Sequence, residues 1–391
     1  MKIGGLAVGA VAVLCAGIWL GGHPAKLPSF LRDPFVDGSA GLTAEATELI
    51  QDNYYRPVGD AELTDSSLDG MVRGLRRRYR DRFSEYFSPE SLARFNEAIS
   101  GRFSGIGLAV TEVKRGLRVE RVFDDSPAAK AGIGVGDTIV SVNGDSIAGV
   151  SSTVATAKIK GPEGTEVTIG VLRPSGGKVR QIRLTRAEVA LPVVAGKVET
   201  VNGRKLGYVR LATFSEGSHG ALREAVQKVE RQGAEGIVLD LRENGGGLLQ
   251  EAVLAAGVFL PGGEVVVTTQ SRAQGHVVYK SPGGNLPPRP LVVLIDRNTA
   301  SAAEILAAAL ADDAGAKTVG TRSFGKGVFQ QEIGLSNGGA LKLTIGEYFT
   351  PDGTNLAGSG IHPDIAARDV AGTPSDEALR RALRALAAQS R

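Results

Sequence analysis

From about residue 187 onward the sequence alternates strand with helix, and that alternation leaves few folds open. Residues 207–211 read as a strand, 220–232 as a helix and 236–241 as a buried strand; 248–259 read as a helix, Leu291–Ile295 as an apolar strand and 302–311 as an Ala-rich helix. A strand–helix–strand repeat of this kind predicts an α/β core, a sheet flanked by helices and built with right-handed crossovers. Residues 375–389 close the chain as a short amphipathic helix with Leu379, Leu383 and Leu386 on one side.

Upstream the pattern is different. Short β-rich runs with turn signals occupy 108–113, 117–123, 138–142 (ending at Asn143-Gly144), 166–173 and 179–185, with short helices near Ala128 and over 152–159. Residues 41–100 look helical, since Leu42, Ala46, Leu49 and Ile50, then Leu68, Met71, Val72 and Leu75, recur on one face. Arg73, Arg76, Arg77, Arg78, Arg80 and Arg82 cluster there, which fits a solvated helix face or a surface for anionic lipid or an acidic partner.

Composition mainly excludes. The 391 residues carry a net charge of +3, too slight to argue for nucleic acid. The single cysteine, Cys15, rules out a disulfide framework and a Cys/His zinc cluster, and four scattered histidines (23, 219, 276 and 362) offer no metal site. At the N-terminus Lys2 precedes an uncharged, mostly apolar run, residues 3–20, that as a helix would span about 27 Å, close to the hydrocarbon thickness of a bilayer. A cleaved signal peptide and an uncleaved anchor both fit. The length of the run and the lack of a clear A-x-A site favour the anchor, and either way the rest of the chain is expected outside the cytoplasm, in the cell envelope or secreted. The expected layout is a signal peptide or anchor over 1–24, a linker over 25–40, a helical region over 41–100, a β-rich domain over 101–186, the α/β core over 187–370 and a C-terminal helix over 371–391.

Three segments could carry chemistry. Asn298-Thr-Ala-Ser-Ala-Ala-Glu304 joins an apolar strand to a helix, so Ser301 stands at a helix start where unpaired N–H groups favour a developing oxyanion. The same spacing, Ser301 to Glu304, is also a capping box. Phe324-Gly-Lys-Gly-Val-Phe-Gln330 reads as a strand that carries Lys326, with Gln330 four residues on, on the same face. A lysine there is either a solvated charge or, if packed inside, an amine neutral enough to take a serine proton. Residues 237–247 run from a buried strand into Gly245-Gly246-Gly247. That loop either presents N–H groups to an anion or only makes a tight turn, and it lacks a P-loop's Lys and Ser/Thr.

Each segment alone is weak. In this order and spacing they resemble the carboxyl-terminal processing (tail-specific) protease family, which carries L-D-L-R-x-N-x-G-G, then S-A-S-A-A-E or a close variant, then G-K-G-x-x-Q. Here these are 239–246, 300–304 and 325–330, with Lys326 following Ser301 by 25 residues. The likeness continues in 343–351 and in Gly360-Ile-His-Pro-Asp364. The β-rich region resembles that family's PDZ domain through 126–132, Val135-Gly-Asp137, Val142-Asn-Gly144 and Gly164-Thr165. Departures are Arg78–Ser84 in place of a D-P-Y/H-S-like segment, Lys160-Gly161 for Arg-Gly, and Asn244-Gly245 for Asn-Pro.

The resemblance implies a serine endopeptidase with Ser301 as nucleophile, Lys326 as base and Gln330 positioning the base. The N–H groups of Gly246 and Ala302 would form the oxyanion hole. Gly105, Ile106, Gly107 and Leu108 would form the PDZ loop that binds a peptide carboxylate, the next strand pairing the peptide. It implies substrates with apolar C-terminal tails, leaves an activating adaptor open as a partner, and calls for no metal, nucleotide or other cofactor. The expected contact with a membrane is through the N-terminal segment. Two rivals stay open: a non-catalytic PDZ scaffold, and a Ser-His-Asp hydrolase that uses one of the four histidines.

Overall fold

The structure is a computed structural model that describes residues 38–284, 286–369 and 376–389. The apolar N-terminal run, Cys15 and most of the linker fall outside the described residues. Among those described, no helix is long and apolar enough to cross a membrane. The chain divides into two compact units, one of residues up to 88 with 333–343 and one of 89–332 with 344 onward.

In the smaller unit, helices Gly38–Asn53 and Asp60–Tyr79 precede a short strand, Glu85–Phe87, which the helical pattern does not announce. It pairs antiparallel with 340–342, Glu85 opposite Lys342. Helix Asp60–Tyr79 begins with Asp60 and Glu62 and ends with Arg76, Arg77 and Arg78, the charge order that the helix dipole favours. Its arginines from Arg73 onward are exposed.

In the larger unit the α/β core forms as the alternation implies. Its six-stranded sheet runs Val194–Val201, Arg204–Leu211, Ile237–Asp240, Leu291–Ile295, Lys317–Gly320, Ile365–Ala366. The first pair is an antiparallel hairpin and the other neighbours are parallel, so the sheet is mixed. Every residue of Ile237–Asp240 and Leu291–Ile295 is buried, as expected for parallel strands covered on both faces. Helices Ser218–Arg231, Leu249–Ala256 and Ala302–Asp313 pack around Leu222, Val226, Val293, Leu306 and Leu310. Helix Glu377–Gln389 makes a separate cluster in which Leu383 and Leu386 meet Val238, Val292 and Leu294. Successive residues of a strand point to opposite faces, so Val292 and Val293 mark the two sides of one sheet. At Gly236 a Cβ would lie 2.9 Å from Leu386 Cδ1, so glycine there lets the terminal helix settle onto the sheet.

The β-rich region is a sheet in the order Leu108–Val113, Gly116–Val122, Thr138–Val142, Glu166–Leu172, Arg180–Thr185 around its own core of Leu117, Val119, Ile139 and Ile169. Leu108–Val113 is an edge strand. A two-stranded ribbon, Arg102–Gly105 with Ala187–Ala190, stands where this region begins and ends.

Candidate active site

Ser301 follows the buried strand Leu291–Ile295 and caps helix Ala302–Asp313 with φ 57° and ψ −122°. A non-glycine residue held there is strained by about 1–3 kcal/mol, and such positions gather at functional sites. A serine on a sharp strand-to-helix turn is also how an activated hydroxyl is pushed clear of a sheet. Neighbours fix the turn: Ala300 N–H donates to Asn244 O at 3.0 Å, and the buried Thr299 hydroxyl donates to Leu241 O at 2.8 Å.

The capping residue does more than cap. Glu304 is fully buried, and its Oε2 accepts Ser301 N–H at 2.9 Å and Lys326 N–H at 3.0 Å. Its Oε1 accepts the Ser323 hydroxyl at 2.5 Å and Gly325 N–H at 2.8 Å. One carboxylate therefore ties the segment of the serine to the segment of the lysine. Sequence reasoning sees only the capping box here, because the other donors come 19 to 22 residues later. Burial, then the nearby Glu304, pushes the Tyr348 phenol far above its ordinary pKa, so it stays protonated; its hydroxyl is buried with no hydrogen-bond partner among the described residues.

Lys326 lies in irregular chain two residues before strand Val328–Gly334, so the expectation that it sits on the strand is corrected. The glycines around it need contacts that no side chain would allow: a Cβ at Gly325 (φ 81°) would come 2.8 Å from Gly360 N, and one at Gly327 2.1 Å from Asn355 Oδ1. Lys326 is half-buried, and its Nζ donates to Gln330 Oε1 at 2.7 Å.

The glycine loop packs directly under the serine. Gly246 has φ 99°, and a Cβ on it would meet Ala300 O and Ser301 Cβ at 2.8 Å and Ala302 N at 3.0 Å. Its own N–H donates to Asn244 Oδ1 at 2.9 Å, while Asn244 Nδ2 holds Leu211 O. Just before it, Arg242 bridges Asp240, Asp369 and Asp376. Burial opposes its charge, but the Asp240 and Asp376 bonds outweigh that and raise its pKa.

Gly105, Ile106, Gly107 and Leu108 come together elsewhere, along a groove of about 390 Å³ in the β-rich region. Thr156 and Ile159 from helix Ser152–Ile159 also line this groove. Gly107 has φ 82°, and a Cβ there would come within 2.1 Å of Ser126 Cβ, so only glycine fits the turn. Of the histidines, His219 is bound by N–H and ring to Glu251, and His276 and His362 are exposed. Among the described residues no group of three or more His, Cys, Asp or Glu is placed to hold a metal.

The peptidase family S41 model matches residues 205–367 and a PDZ-domain model matches 104–185. The chain is 36% identical over 324 residues to the carboxy-terminal-processing protease of Bartonella bacilliformis, covering 81% of this chain and 72% of that protein. It is 33% identical over 323 residues to carboxy-terminal processing protease CtpA of Bacillus subtilis, covering 83% and 68%. Among solved structures, the photosystem II D1 C-terminal processing protease matches with a TM-score of 0.51 at 29% identity, over 90% of this chain and 98% of that one.

Proposed function

The chain belongs to the PDZ-bearing carboxy-terminal processing proteases of peptidase family S41, and from that membership we propose that it cuts by acyl transfer, with Ser301 as nucleophile and Lys326 as general base. Ser301 Oγ attacks the scissile carbonyl, the neutral Lys326 amine takes its proton, and the ammonium then protonates the leaving amine. Water activated by the same amine releases the acyl-enzyme. Gln330 Oε1 holds the amine in place. The Ala302 N–H, at the start of the helix, faces the developing oxyanion, and a donor of this kind is worth roughly 3 kcal/mol. Gly246 N–H joins it when the substrate oxygen displaces Asn244 Oδ1.

The observation that carries this reading is the shared Glu304 carboxylate, which holds the strained Ser301 turn and the Lys326 backbone on one oxygen while Lys326 Nζ stays bound to Gln330. The groove beside edge strand Leu108–Val113 supports binding of an apolar C-terminal tail as an added strand. Its apolar wall, which includes Ile106, Leu108, Ile139 and Ile159, favours such a tail. The apolar run 3–20 supports a place outside the cytoplasm, tethered to or released from a membrane.

The test digests unfolded casein, and a protein ending in an apolar tail, with the parent and with folded Ser301→Ala and Lys326→Ala variants. Both variants should lose activity by at least about a thousand-fold, the scale of losing a nucleophile or its base. A Ser301→Ala enzyme that still cuts refutes the assignment.

A further inference from the structure

The side-chain amide of Gln330 has two unlike faces, and only one of them serves a lysine base. Its oxygen accepts a hydrogen from Nζ and leaves the amine lone pair free for the serine proton. Turned over, its NH2 group would donate into that lone pair, or face the hydrogens of the ammonium. The terminal torsion of glutamine is broad and roughly two-fold, so the side chain alone does not choose.

A neighbouring strand supplies the second anchor. Lys326 Nζ holds Oε1 at 2.7 Å, and Nε2 donates to Thr344 Oγ1 at 3.2 Å. Thr344 lies on strand Ala340–Phe349, which pairs with strand Val328–Gly334 carrying Gln330, and both side chains are half-buried. We propose that Thr344 is a positioning residue for the base: its hydroxyl, accepting from Nε2, holds the Gln330 amide in the plane that presents Oε1 to Lys326. This rests on the Ser301–Lys326 reading above. Removing the hydroxyl leaves Nε2 without its anchor and lets the amide rotate, while the binding groove and the nucleophile are untouched.

The experiment uses the full chain and five changes: Thr344→Val, Thr344→Ser, Gln330→Leu, the double Thr344→Val with Gln330→Leu, and Ser301→Ala as control. Thermal melts check that each is folded. Activity is read as kcat and KM on a peptide substrate, and as the single-turnover acylation of Ser301 by an activated ester, which needs the base but no peptide recognition. Thr344→Val should lower kcat and the acylation rate about ten-fold, the factor one ordinary hydrogen bond carries, with KM within two-fold of the parent. Thr344→Ser should restore most of that loss, and Thr344→Val should change nothing further once Gln330 is leucine. Unchanged rates in Thr344→Val, losses that multiply in the double variant, or a Thr344→Ser enzyme as slow as Thr344→Val would each overturn the proposal. So would a Gln330→Leu enzyme as fast as the parent, since no amide would then need positioning. If Ser301→Ala stays active, the Ser–Lys reading has failed, and that control shows it apart from any effect of Thr344.

Discussion

Glu304 gathers four hydrogen bonds on two oxygens, and changing it to glutamine separates its charge from its shape. The amide keeps one acceptor but turns a donor toward two of the four donors. Glu304→Gln should destabilise the fold by about 2–4 kcal/mol, since lost charged hydrogen bonds leave buried groups unpaired, and should slow turnover at least ten-fold. Urea unfolding and kcat on the folded fraction check the two halves separately. Gly246→Ala tests the close packing of the loop: its Cβ would meet Ser301 Cβ at 2.8 Å in a backbone that L-residues rarely adopt. A folded protein with turnover down by more than ten-fold is expected; parent-like turnover would show that the loop shifts freely. At this scale the sequence was partly legible. Ser301, Lys326 and Gln330 were singled out by the resemblance of their segments to the family's motifs, each being weak alone, and the last two are hydrogen-bonded. Glu304 was visible only as a cap and Thr344 only within a similar stretch, because their partners become neighbours through strand pairing and a loop return that no local pattern encodes.

At the level of elements, the alternation after residue 187 named the central strands and helices closely, and Leu291–Ile295 agrees at both ends. Strand Val194–Val201 was missed. Its residues are mostly exposed or half-buried, so no two-residue period marks it. A signal was present all the same: Asn202 and Gly203 both have positive φ, as the two-residue turn of a hairpin requires. The C-terminal helix was read from its leucines, but the clamp at its start was not, because Arg242 reaches Asp376 across 134 residues. The helix covers one face of the sheet with Leu386 fully buried. Leu386→Ala should therefore cost about 2–5 kcal/mol, read as a lower urea midpoint at unchanged slope; a loss under about 0.5 kcal/mol would mean that the helix adds little to the core.

Across the whole molecule, several carboxylates link stability to pH. Burial raises the pKa of Glu251, but the N–H groups of His219 and Gly217 and the His219 ring outweigh it, and the net value is low. Burial likewise works against Asp376 and Asp364, which bonds from Arg242 and Leu379, and from Thr318 and Lys317, hold below the ordinary range. A depressed carboxylate contributes stability that is in place above its unfolded pKa, about 4, and is lost as pH falls through the folded value. Asp312 and Asp313 run the other way: burial, then neighbouring acids, raise them, so they cost stability as pH rises from about 4 through their higher folded values. The thermal midpoint should fall on acidification below about pH 4, and Glu251→Gln should flatten that fall. A midpoint that climbs steadily down to pH 3 would mean that the raised pair dominates.

The edge strand Leu108–Val113 has a consequence for how the protein behaves at high concentration. An unpaired strand edge invites any extended chain, including a second copy of itself, and such edges seed aggregation unless something spoils them. Three things spoil this one: it is six residues long, its pairing shifts register between Ala109 and Val110, and exposed Thr111 and Glu112 precede Lys114 and Arg115. The domain should thereby be kept from stacking on its own kind through this edge, and its colloidal stability then rests on a few polar residues.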